Sequence, residues 1–158
     1  MSLTGSTPSP QMDTMPLHMV KLCVGADSVE DLRSWVEERL ETARREGRPA
    51  EQFHQTRMLP KRGAEILEGG SLFWVIRGNV QVRQRVLEFR PFTGEDGIPR
   101  CRIMLEPVFV ETHWQPRRAF QGWRYLKPED APPDVGHGSE LGSLPADLRR
   151  ELASLGLL

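Results

Sequence analysis

The sequence predicts an α+β domain: a small mixed, largely antiparallel sheet, strongly curved or closed into a barrel, with a long N-terminal helix and a short C-terminal one. Three observations carry this. Residues 28–46 repeat apolar side chains at helical spacing, residues 71–113 read as successive strand segments broken by turn signals, and residues 145–157 return to a helical stripe.

Residues 17–25 (LHMVKLCVG) are short, apolar and ended by Gly25, which predicts a first strand. In residues 28–46, Val29, Leu32, Val36, Leu40 and Ala43 fall on one helical stripe. Ser28 suits the N-cap with Asp31 three positions on, acids crowd the front half, and Arg44 and Arg45 sit in the last turn before Gly47 and Pro49. Those charges are explained by helix stability. Residues 52–59 suggest a short strand, followed by a helical turn through Ala64, Ile66 and Leu67 that Gly69-Gly70 ends.

Residues 71–77 (SLFWVIR) are apolar on both faces, which predicts a central strand. Gly78-Asn79 reads as a two-residue hairpin turn. Residues 80–89 then alternate: Val80, Val82 and Val86 share one face with Gln84, while Gln81, Arg83 and Arg85 face the other way. Residues 93–99 form a turn cluster. Two more strands, or one interrupted at Pro107, follow to His113. Residues 128–143 are loop-like. In the last helix Leu148, Leu152 and Leu155 share a face, with Pro145 in the first turn.

Composition bounds the class. At 158 residues, 38% hydrophobic and 27% charged, the chain is expected to form one soluble domain with a core of its own. Residues 1–14 are rich in Ser, Thr, Pro and Gln, and are expected to be a disordered leader, with Met15 as an alternative start. The domain then covers 15–127, with the loop at 128–143 and the terminal helix at 144–158. No run approaches a membrane span and no secretory signal is visible, so the expectation is a cytoplasmic protein without a membrane partner. Cys23 and Cys101 sit in apolar runs and read as small core residues.

Residues 15–25 (MPLHMVKLCVG), 60–78 with the ending GGSLFWVIRG, 82–86 (VRQRV) and 118–134 (RAFQGWRYLKPEDAPPD) together resemble an alphaproteobacterial family catalogued as domain of unknown function 1489. The resemblance covers most of 15–134 and implies a common origin and a single domain, with no catalytic residues to carry over. A short helix ending in Gly, then a strand ending in Arg77, inside a small mixed barrel, is also similar in outline to the RNA-associated PUA and ASCH domains. The ASCH lysine has no counterpart in Ser71-Leu72-Phe73.

Chemical motifs are sparse. His18, His54, His113 and His137 form no ligand pair at zinc spacing, so no metal or other cofactor is expected. Gly69-Gly70-Ser71 precedes a strand, where a phosphate loop would follow one, and residues 136–142 (GHGSELG) fit no glycine fingerprint. Glu95-Asp96 and Glu129-Asp130 lie in turn or loop sequence, where turn propensity accounts for them.

Charge distribution is more telling. Of the 21 basic residues, 18 are Arg, and the total of −1 hides a segregated pattern. Residues 1–50 carry six bases and eight acids, residues 51–126 twelve and eight, and residues 127–158 three and six. The middle is thus basic between acidic ends. Arg77, Arg83 and Arg85 fall on neighbouring strands, while Arg117, Arg118 and Arg124 are interleaved with Phe120, Trp123 and Tyr125. Guanidinium beside aromatic rings is the chemistry that holds single-stranded nucleic acid, by phosphate pairing and base stacking.

The expectation is therefore a binding domain for RNA or a phosphorylated small molecule. The six arginines would meet phosphates, Trp123 and Tyr125 would stack, and Gln84 and Gln121 would read polar edges. Gln84 could do so only if its strand twists or bulges. The bland competitor leaves these arginines on a solvated surface and the aromatics in packing. Two rivals come from other classes. One is a small hydrolase or transferase with a cleft near Trp123, using Cys101, His113 or the Glu106/Glu111 carboxylates. The other is an interaction module docking through Leu148, Leu152 and Leu155. Oligomeric state is left open.

Overall fold

A computed structural model of the chain describes residues 15–135. The expected leader and the expected C-terminal helix with its leucine stripe lie outside the described residues. Strand β1 (His18–Leu22) leads to helix α1 (Val29–Arg45), strand β2 (Gln52–Thr56) and the single turn α2 (Gly63–Ile66). Strands β3 (Ser71–Ile76), β4 (Asn79–Thr93), β5 (Pro99–Leu105), β6 (Val110–Pro116) and β7 (Trp123–Leu126) follow, and a 3-10 turn at Pro128–Asp130 comes last.

The ends of α1 are set by local chemistry. Ser28 Oγ accepts the amide of Asp31 at 3.2 Å, while the Asp31 carboxylate reaches back to the Asp27 amide at 2.9 Å. At the other end Gly47 takes φ +72°, its amide donates to Arg44 O, and the Arg48 amide donates to Ala43 O at 2.8 Å. That is a Schellman stop, which a side chain at position 47 would strain.

Seven strands form one mixed sheet in the order β2-β5-β4-β3-β1-β7, with β6 also paired to β4. Only β1 and β3 run parallel; every other pair is antiparallel. Among the described residues the sheet is open, with β2 and β7 at its ends and β6 paired to β4 alone, so the barrel alternative does not hold. β5 and β6 lie end to end along the same side of β4, matching residues 86–93 and 79–83. The break at Pro107 thus separates two strands that share one partner.

Two irregularities in β4 correct the simple alternation. Trp74 pairs with Val82 but Val75 pairs with Val80, leaving Gln81 as an extra residue whose Nε2 donates to Ile76 O at 2.8 Å. The bulge moves Val80 to the opposite face from Val82. A second shift at Leu87 restores Phe89 to the helix side. The hairpin turn also moves by one position. Ile76 pairs with Asn79, so the two turn residues are Arg77 and Gly78, at φ +49° and +80°. Positive φ at both central residues is what a type I′ hairpin demands.

α1 lays Val29, Leu32, Val36 and Leu40 on one face of the sheet, against Met19, Leu72, Trp74, Ile76, Val82, Val86, Ile103 and Leu105. Each such burial contributes about 1.5–3 kcal/mol. The second face carries a smaller cluster of Val20, Phe73, Val75, Val80 and Leu126, covered in part by Phe120 and Ala131 from the chain after β6. Gly70 joins α2 to β3 where a Cβ would strike the carbonyl oxygens of Leu17 and Ile66. No helix among the described residues is long and apolar enough to cross a membrane.

Candidate functional site

The smaller face of the sheet gathers the arginines. β7 pairs with the outer side of β1, Val20 opposite Arg124 and Met19 opposite Tyr125. Its W-R-Y-L alternation therefore sends Trp123 and Tyr125 toward the helix side, and Arg124 with Leu126 toward the other. The residues before it, 116–122, fold across that second face. Gly122, at φ +69°, turns the chain into β7.

There the guanidinium carbon of Arg124 lies 5.3 Å from the centroid of Phe120, and its Nη1 donates to Gln121 O at 2.9 Å. Arg117 is pinned by its amide to Gly78 O at 2.8 Å and by Nε to Gln115 Oε1 at 3.3 Å. Arg118 and Gln121 are exposed. Arg117, Arg118, Arg124, Phe120 and Tyr125 line a broad shallow depression of about 860 Å³, with Glu129 and Asp130 along it. A smaller hollow of about 350 Å³ adjoins it, sharing Arg117 and Ala119 and lined also by Arg77 and Gly25. Four of the six predicted arginines thus line two linked hollows. Arg77 reaches its hollow from a left-handed backbone and bonds Asp27 at 2.9 Å.

The other predicted residues are placed differently. Arg83 donates from Nε and Nη2 to Asp134 at 2.8 and 2.7 Å, and from Nη1 to Ser71 Oγ at 2.9 Å. It fastens residue 134 to the sheet. Asp134 also forms an isolated bridge to Thr112. Arg85 is exposed on the same face but lines neither hollow. Gln84 is fully buried on the helix side. Its Oε1 accepts from Gln52 Nε2 at 3.0 Å and Trp74 Nε1 at 2.9 Å, and its Nε2 donates to Gln52 Oε1 and Glu106 O. Every valence is used inside the protein, so Gln84 reads no ligand. The bulge lies before it and leaves it on the valine face.

Trp123 is buried too, its indole N–H donating to Met58 O at 2.8 Å. It offers no open face to a base. Tyr125 is 37% exposed, but its hydroxyl accepts from the Arg62 amide at 3.1 Å, and its ring meets Trp123 edge-on at 4.8 Å. The pair anchors residues 58–62, and of the two only Tyr125 borders the depression. Phe120 is the aromatic the expectation left out. The signal was its place three residues after Arg117 and four before Arg124, which the structure turns into a stacked pair.

The enzymatic alternative loses its dyad. Cys101 is buried opposite Pro91, while His113 lies in the stretch of β6 opposite Gln81. Ten residues of β4 separate them, about 30 Å at strand spacing. Burial raises the Cys101 thiol and pushes Cys23 up to about 11, so neither is an activated nucleophile. His18 is held near 4 by burial and then by Arg83, against the opposing pull of Asp134. Its Nδ1 accepts the Ser71 amide at 3.0 Å, which requires the neutral ring. No group of three His, Cys, Asp or Glu among the described residues could hold a metal ion.

Compared with known proteins, residues 19–158 match the model of a family described as a protein of unknown function, DUF1489. No curated protein and no solved structure matches the chain.

Proposed function

The chain belongs to the DUF1489 family, and from that premise we propose that it is a binding domain for single-stranded RNA, held along the strip of Arg77, Arg117, Arg118 and Arg124. The observation that carries the reading is the Arg124–Phe120 stack, bordered by Tyr125 and flanked by Arg117 and Arg118 in one open depression. Cations supply phosphate contacts, and rings or stacked guanidinium planes supply sequence-tolerant base contacts.

Shape separates RNA from a phosphorylated small molecule. Small ligands are usually engulfed, with 70–90% of their surface removed from water. A shallow depression continued by a second hollow suits an extended strand better. Glu129 and Asp130 limit the positive field along the strip, and can accept hydrogen bonds from base amino groups.

Fluorescence anisotropy with labelled mixed-sequence RNA tests the reading. Three or four phosphate contacts imply a loss of about 20- to 50-fold in affinity between about 50 and about 200 mM salt. No binding at the lower salt, or binding indifferent to salt, overturns it.

A further inference from the structure

A second cleft lies by β2, at the opposite end of the strand order from β7. The C-terminal half of α1, the turn after it and edge strand β2 enclose a cleft of about 770 Å³. Val36, Leu40, Ala43, Pro49 and Phe53 give it an apolar lining, and it is more enclosed than the depression around Arg124. Arg39, Arg48 and Arg102 also line it.

Arg102 is the telling member. Its guanidinium carbon lies 4.7 Å from the centroid of Phe53 and 4.9 Å from that of Phe92, so the cation is held between two phenyl rings. Its Nε is buried without a hydrogen-bond partner among the described residues. Directly across the ladder stands a like charge, Arg90, which takes Glu51 by two hydrogen bonds of 2.9 and 3.1 Å and Glu88 by one of 3.0 Å. Glu51 and Glu88 are therefore committed to Arg90. A buried charged donor left unmade is costly, and a fold tolerates it most readily where a ligand completes it. Arg48 pairs with Glu46, an exposed pair of little strength. Among the described residues, Glu38 and Glu51 are the carboxylates that line the cleft.

We propose that this cleft binds an amphipathic organic anion, an apolar body carrying a single carboxylate or phosphate. The body lies on Leu40 and Phe53, and the head group meets Arg102 and Arg39. Guanidinium suits both head groups because its N–H fork matches two oxygens at once. The site is independent of the RNA reading, since none of its residues belongs to the arginine strip.

The test is titration of the full chain with sodium decanoate and with 1-naphthyl phosphate, by calorimetry and by amide NMR shifts. Decanol and inorganic phosphate serve as the half-ligands, one without charge and one without body. At least one amphipathic anion is expected to bind about tenfold more tightly than either half-ligand, with shifts centred on residues 39–53 and 102. Arg102→Met keeps the packing between the two rings and removes the charge; it is expected to cost about tenfold in that affinity. Arg39→Gln, on the exposed helix face, gives a second reading should Arg102→Met not fold. Failure of both anions, shifts elsewhere, or an affinity that ignores Arg102 and Arg39 overturns the proposal. RNA binding should be unaltered in both variants, so the two sites fail or stand separately.

Discussion

Asp134 grips Arg83 with both carboxylate oxygens across 51 positions of sequence, and Arg83 in turn donates to Ser71 on the neighbouring strand. The clamp fixes the chain after the 3-10 turn against the smaller sheet face, beside the depression that Arg117 and Arg124 line. Both side chains are partly solvated, which limits its strength. Asp134→Asn is expected to cost about 1 kcal/mol. A urea titration reads the loss, and a double-mutant cycle with Arg83→Gln should assign most of it to the pair. RNA affinity should change little, because Arg83 lines neither hollow.

Arg117, Arg118 and Arg124 are expected to act alike on RNA. Each replacement by Gln should lower the slope of log affinity against log salt by about 0.7. Phe120→Leu should cost about 1–3 kcal/mol with the salt slope unchanged, because it removes stacking and leaves charge in place. Arg85→Gln is the control from the same face and should bind as the parent does. Equal losses at Arg85 and Arg124 would mean a diffuse field with no site.

Gln84 is a node of the core. Gln84→Ala should remove about 2–4 kcal/mol, since it strands Gln52, the Trp74 indole N–H and the Glu106 carbonyl together. Thermal unfolding measures this. A loss of RNA binding without a loss of stability would contradict the placement.

Acid should weaken the fold through two histidines. His18 and His54 both sit near 4, below the ordinary 6.5, with burial the leading cause in each. The unfolded chain therefore binds protons that the folded one refuses between pH 6.5 and 4. Stability is full above that window and falls as pH drops through it. Allowing for partial solvent access, each contributes about 1–2 kcal/mol. Urea midpoints at several pH values should show the decline, and His54→Gln should flatten part of it. Asp96, held to about 2 chiefly by Arg100, adds a further loss only in stronger acid.

Arg77 holds φ +49° in a turn that glycine would fill without strain. Arg77→Gly is expected to stabilise the hairpin by about 1 kcal/mol, since the exposed Asp27 pair it gives up is weak. The same change should weaken RNA binding. Stability and binding moving in opposite directions would mark the strain as kept for the ligand.

What the sequence made legible follows from how local each signal is. Helix α1 was readable to its caps because Ser28, the leucine spacing and Gly47 act within a few residues. The hydrophobic run of β3 likewise announced a central strand. The bulge at Gln81 was not readable. Val80 and Val82 look equivalent in sequence, and only pairing with Val75 and Trp74 separates them. β7 hid in plain alternation, since its four residues gain strand character only by joining β1. Arg117, Arg118 and Arg124 could be grouped in advance because they cluster along the chain, and they line one depression. Gln84, Trp123 and Arg83 were misplaced because their partners, Gln52, Met58 and Asp134, are distant in sequence. The Arg102 cleft was missed for the same reason: Phe53, Phe92 and Arg102 meet only in space.

An open sheet carries a hazard that a closed one does not, because its outermost strands present unpaired amides and carbonyls to any passing chain. Here β6 is bridged on its outer side by Asp134, and the two end strands, β2 and β7, are five and four residues long. Templates so short offer a stranger few hydrogen bonds, and the arginine of β7 adds a charge that disfavours stacking there. Lengthening either end strand with β-branched residues should raise the protein's tendency to aggregate.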